Sequence, residues 1–94
     1  MTAGPVQRRT VHYRGRVQGV GFRYTAVHLA QRFPVSGCVR NLPNGEVELI
    51  VEGREADLDA FLAAVARAMH ENIMDCRVAT GSPTGEFDGF DLRR

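Results

Sequence analysis

An α+β sandwich of split βαβ units is the fold class that the sequence predicts, and three observations predict it. Several short segments alternate apolar and polar residues, two longer ones repeat apolar residues at helical spacing, and they follow in the order strand, helix, strand, strand, helix, strand. A weaker strand is appended after a loop that carries glycine and proline. The chain is 94 residues long, enough for one core that buries about 60–65% of the unfolded surface and too short for a second.

Residues 1–6 read as a flexible tail, because Gly4 and Pro5 break structure and nothing there is apolar enough to dock firmly, so the single domain is expected over 7–94. From Gln7 to Val17, Val11, Tyr13, Gly15 and Val17 share one parity while Arg8, Thr10, His12, Arg14 and Arg16 share the other, the pattern of a half-buried strand. Phe22, Ala26, Leu29, Ala30 and Phe33 then form the stripe of an amphipathic helix that Pro34 ends. Gly37–Asn41 is a second strand, Leu42-Pro43-Asn44-Gly45 a turn, and Glu46–Glu52 a third strand with Val47, Leu49 and Val51 facing inward. Leu58, Phe61, Leu62, Val65 and Met69 place a second helix from about Arg54 to Met69, and Glu55, Asp57 and Asp59 suit its positive N-terminus. Met74–Thr80 is the fourth strand and Phe87–Leu92 the last.

This order is that of the ferredoxin-like fold: a mainly antiparallel sheet of four to five strands with two helices on one face. The other face is expected to meet solvent, with Glu46, Glu48 and Glu52 as its charged surface.

Composition removes several functions. All twelve basic residues are arginine, so a Walker A loop, a Schiff-base enzyme and a pyridoxal-phosphate enzyme are excluded. A net charge of +1 argues against strong non-specific nucleic-acid binding. No apolar run nears the ~20 residues of a membrane helix and no hydrophobic leader opens the chain, so a soluble, cytoplasmic protein is expected. Cys38 and Cys76 are too few for a disulfide scaffold or a zinc knot and read as reduced packing residues. His70-Glu71 opens like a zinc-protease helix, but Met74 stands where the second ligand would be. His12 and His28 read as solvated or packing residues. No metal and no cofactor is expected.

The segment that carries chemistry is Arg16-Val17-Gln18-Gly19-Val20-Gly21-Phe22-Arg23, where a strand ends, two glycines turn the chain and a helix starts. A helix start offers unpaired N–H groups and about half a positive charge, and so attracts anions. Arg23 in that first turn has the wrong sign for the helix, at a cost of about 0.3–1 kcal/mol that a bound phosphate would reverse. The alternative is a plain tight turn with Arg23 bent toward a surface carboxylate. Asn41 is the second candidate. The helix carries the chain roughly 17 Å away at 1.5 Å per residue, and the strand to Asn41 returns it about 13–17 Å, level with Arg23. Its carboxamide can hold a water against a phosphate, and it can equally open the following turn.

These residues resemble the acylphosphatase family. Gly15-Arg16-Val17-Gln18-Gly19-Val20-Gly21-Phe22-Arg23 is similar to its first signature, and Gly37-Cys38-Val39-Arg40-Asn41, followed by Gly45, Val47 and Gly53, to its second. The resemblance implies hydrolysis of small acyl phosphates to carboxylate and inorganic phosphate, the latter also an inhibitor. It implies that Arg23 binds the phosphoryl group, that Asn41 positions the attacking water, and that amides from Gln18 through Gly19, Val20 and Gly21 to Phe22 cradle the oxygens. Tyr13 and Cys38 depart from the pattern, which has an aliphatic and an aromatic residue there, and bear on packing and stability rather than on chemistry. Such an enzyme is expected to act as a monomer, without nucleic acid or membrane. Two other readings stand beside it. Arg8, Arg14, Arg16 and His12 on one sheet face would suit a module that binds RNA or a regulatory ligand, although strand three offers glutamates instead of stacking aromatics. A carbamoyl-phosphate-specific domain, as in hydrogenase-maturation proteins, would be accompanied by zinc-finger segments.

Overall fold

The computed structural model describes residues 4–94. Its elements are β1 (Val6–Gly15), α1 (Phe22–Ala30), β2 (Ser36–Asn41), β3 (Val47–Arg54), α2 (Glu55–Ala68), β4 (Ile73–Gly81) and β5 (Phe90–Arg93). They form one five-stranded sheet in the order β4-β1-β3-β2-β5. All pairings are antiparallel except that of β2 with β5. Of the expected tail, Met1–Ala3 lie outside the described residues, while Val6 already pairs with Arg54 in β1.

Alternation along β1 and β3 builds the core directly. Val11, Tyr13, Val47, Leu49 and Val51 are buried beneath the helices with Phe22, Ala26 and Ala30 of α1 and Leu58, Phe61 and Val65 of α2. The Phe61 ring meets Phe33 and Phe90 edge-on, at centroid distances of 5.9 and 5.4 Å. Helix α1 ends at Ala30 rather than Phe33. Gln31, Arg32 and Phe33 each donate to the carbonyl three residues back, so the last turn tightens before Pro34. In β5 the regular strand starts at Phe90, and Phe87 lies between the Arg8 and Arg93 guanidinium groups, each 5.5 Å from its ring.

The open face departs from expectation. Glu46 and Glu52 are buried, at 9% and 4% exposure, instead of solvated. Arg77 grips both oxygens of Glu46, at 3.1 Å each. Glu52 accepts from the amides of Thr84 and Gly85, at 2.8 and 3.0 Å, from the Thr84 hydroxyl at 3.0 Å and from Arg8 at 3.3 Å, so the chain between β4 and β5 covers it. Cysteines split as well: Cys38 is a buried packing residue, whereas Cys76 is exposed because β4 is an edge strand beyond the helices.

Candidate active site

The site starts where β1 stops. The pairing of β1 with β4 shifts register between Arg14 and Gly15, and a Cβ on Gly15 would stand 2.4 Å from the Asn72 carbonyl oxygen. Asn72 then holds Arg16 from both sides: its carbonyl accepts from the Arg16 amide at 2.9 Å and its side chain donates to the Arg16 carbonyl at 3.1 Å. Val17 is buried, which anchors the loop that follows.

Gly19 and Gly21 adopt φ of 74° and 81°, with open space where a Cβ would be. Their requirement is therefore conformational, the left-handed region that glycine enters freely. Gly21 is also the N-cap of α1, whose start has no side-chain cap and no acidic residue in its first turn. The unpaired amides of that turn keep their positive end uncompensated. The Phe22 side chain points the other way, 2% exposed and stacked at a tilt on Tyr13 with ring centroids 4.8 Å apart, which ties the loop to the core. Tyr13 is thus a packing residue, and burial pushes its phenol well above the ordinary value.

Arg23 and Asn41 line one cavity of about 200 Å³, together with Val17, Gly19, Gly21, Phe22 and Tyr24. The sheet explains the meeting. Both β1 and β2 are antiparallel to β3, which lies between them, so the ends of β1 and β2 reach the same edge of the molecule. Arg23 donates from Nη1 to the Arg93 carbonyl at 2.9 Å, and so is directed by a backbone acceptor rather than by a surface carboxylate. Gln18 joins the two halves: its Nε2 donates to the Leu42 and Glu46 carbonyls, at 2.7 and 2.9 Å. The turn it grips is closed by Leu42 donating to Glu46 at 2.8 Å, directly after Asn41.

Three contributors were not apparent in the sequence: the side chain of Gln18, both polar groups of Asn72 and the carbonyl of Arg93. Only the glutamine inside the glycine-rich loop offered any signal.

Other candidates fall elsewhere. Of the sheet-face arginines, Arg8 pairs with Glu52 and Glu86 and Arg14 with Asp75, while His12 meets Glu48 at 3.0 Å, so each of these already has an acidic partner. His28 and His70 are exposed. A larger cavity, about 510 Å³, lies at the opposite edge among Val6, Val35, Glu52 and Pro83, with no basic side chain among the described residues lining it. Among the described residues no group of three or more His, Cys, Asp or Glu is arranged to hold a metal ion.

The chain that brings Arg23 and Asn41 to one cavity beside a glycine-rich helix start has known relatives. The family model described as acylphosphatase matches residues 9–92. The chain belongs to the acylphosphatase family. An acylphosphatase of Syntrophus aciditrophicus is 41% identical over 88 residues, covering 93% of this chain and 92% of that one. The crystal structure of acylphosphatase from Bacillus subtilis superposes with a TM-score of 0.80 at 31% identity, over 95% of this chain and 99% of that chain. T. kodakarensis HypF also matches, with a TM-score of 0.80 at 29% identity over 94% of this chain, but only 12% of that chain is covered. As an acylphosphatase the chain hydrolyses the carboxyl–phosphate bond of acyl phosphates, and the ferredoxin-like α+β fold is that of the family's solved structures. No described helix is long and apolar enough to cross a membrane.

Proposed function

We propose that Arg23 and the amides from Gln18 to Phe22 bind the phosphoryl group, and that Asn41 orients the water that attacks it. One observation carries this reading: Arg23 and Asn41 share a cavity with a left-handed glycine loop at an uncapped helix start. The substrate R–CO–O–PO₃²⁻ expels a carboxylate whose conjugate acid has a pKa near ~4, so the leaving group needs no protonation. Water oxygen bonds to phosphorus as the bond from phosphorus to the acyl oxygen breaks, and the electron pair leaves with the carboxylate. The water's proton passes to a phosphoryl oxygen, since among the described residues no side chain lining the cavity is acidic or imidazole. A loose transition state demands in-line positioning and charge stabilisation, which a guanidinium and backbone N–H groups supply.

In this reading the 7–94 domain works as a monomer, for which one chain's own guanidinium, carboxamide and glycine loop suffice, and two free cysteines fit a reducing cytoplasm. Its partner is a small acyl phosphate rather than nucleic acid. Titration with inorganic phosphate, followed by amide NMR, tests the cradle. Saturable shifts at Gly19–Phe22 that disappear in Arg23→Gln support it; saturable shifts confined to other residues rule it out.

A further inference from the structure

Among the described residues five large apolar side chains are exposed: Val6, Val20, Tyr24, Met74 and Val78. Val6 belongs to the opposite edge of the molecule, and Met74 and Val78 to the edge strand β4. The other two belong to the loop and helix start that form the phosphate cavity. Tyr24 lines it while remaining 75% exposed, and Val20, 39% exposed, sits between the lining residues Gly19 and Gly21. Neither contributes to the core, so their placement has no packing explanation.

We propose that Tyr24 and Val20 form the subsite for the acyl group, and that the preferred substrates carry an aromatic or bulky apolar acyl group rather than acetyl or carbamoyl. The inference rests on the reading of the cavity given above. With the phosphoryl oxygens on the loop amides and Arg23, the acyl carbon must leave the cavity past its rim. Tyr24 offers a phenol ring there, and Val20 an exposed branched aliphatic side chain on the adjoining loop. Among the described residues Arg23 is the one charged side chain lining the cavity and is committed to the phosphoryl group, so a second carboxylate or an ammonium on the acyl part finds no partner there. An aromatic ring on Tyr24 gains stacking, and either ring or branched chain gains apolar contact, while acetyl has little apolar surface to bury. The phenol hydroxyl is not required for this.

The test is kcat/KM for benzoyl phosphate and acetyl phosphate with the wild type, Tyr24→Ala and Tyr24→Phe. The expected result is a wild-type preference for benzoyl phosphate that falls about 3- to 10-fold in Tyr24→Ala and is kept in Tyr24→Phe. Equal preference for the two substrates in the wild type, or an unchanged ratio in Tyr24→Ala, overturns the subsite. Failure of the underlying reading looks different: Arg23→Gln would then retain full turnover of both substrates.

Discussion

Nε2 of Gln18 lies 2.7 Å from the carbonyl oxygen of Leu42, so the glycine loop and the turn after Asn41 are one mechanical unit. With its second bond to Glu46, the amide uses its two hydrogens on two backbone acceptors. Gln18→Ala removes both bonds and lets Asn41 drift from the loop, and about a tenfold loss in kcat/KM is expected, since sub-ångström misplacement is costly in such a site. Gln18→Glu sets a carboxylate against two carbonyls. Its activity is expected below that of Gln18→Ala at neutral pH and to gain on it toward pH 5, as protonation restores one donor. A flat ratio of the two variants across pH would contradict the clamp.

Arg23 takes its direction from the Arg93 carbonyl. Chains ending at Leu92 lack that acceptor, and the side chain regains rotamers whose ordering costs up to about 2 kcal/mol. A KM for acyl phosphate raised several-fold, with thermal stability lowered only slightly, is the expected outcome of steady-state kinetics and calorimetry.

Gly21→Ala separates conformation from space. Nothing stands within 4 Å of the new Cβ, so the cost is that of holding alanine at φ 81°, about 1–2 kcal/mol. Gly37→Ala is different, because its Cβ would lie 1.9 Å from the Ile50 carbonyl oxygen in the centre of the sheet. Denaturant titration should find the first variant folded but less active, and the second far less stable.

Glu52 ties the β4–β5 connection to the sheet, and acid should loosen it. Burial pushes its carboxyl up, but the amides and hydroxyl of Thr84 and Gly85 and the Arg8 guanidinium more than reverse this, leaving it below the ordinary value of 4.5. A depressed folded-state pKa means that the stabilisation is complete above about pH 4.5 and is lost as pH falls through the lower folded value. The stability gap between wild type and Glu52→Gln, followed by thermal melts, should therefore be constant from pH 7 to 5 and close below that. A gap that widens on acidification would contradict the role given to these bonds.

Much of this was legible in the sequence, and the limits have physical causes. Alternation in β1 and β3 and the Phe22–Ala26–Ala30 stripe gave the layers, because burial on one face leaves a period in the chain. The convergence of Arg23 and Asn41 follows from rise per residue together with the βαβ order, which sets β1 and β2 parallel. The grip of Asn72 on Arg16 spans 56 residues and that of Arg23 on Arg93 spans 70, and hydrogen bonds at such separations have no local pattern. Alternation also cannot say which strand lies at the edge, so the exposure of Cys76, expected as a packing residue, has no signal in the sequence. The burial of Glu52 has no sequence signal for a related reason: parity gives the face of a residue but not what later crosses that face.

Hydrolysis of benzoyl phosphate by the wild type, Arg23→Gln and Asn41→Ala, in excess chelator, tests the phosphate cavity most directly. The expected result is metal-independent turnover in the wild type and losses of about 10²-fold or more in each variant with folding intact. Full activity in either variant would contradict it.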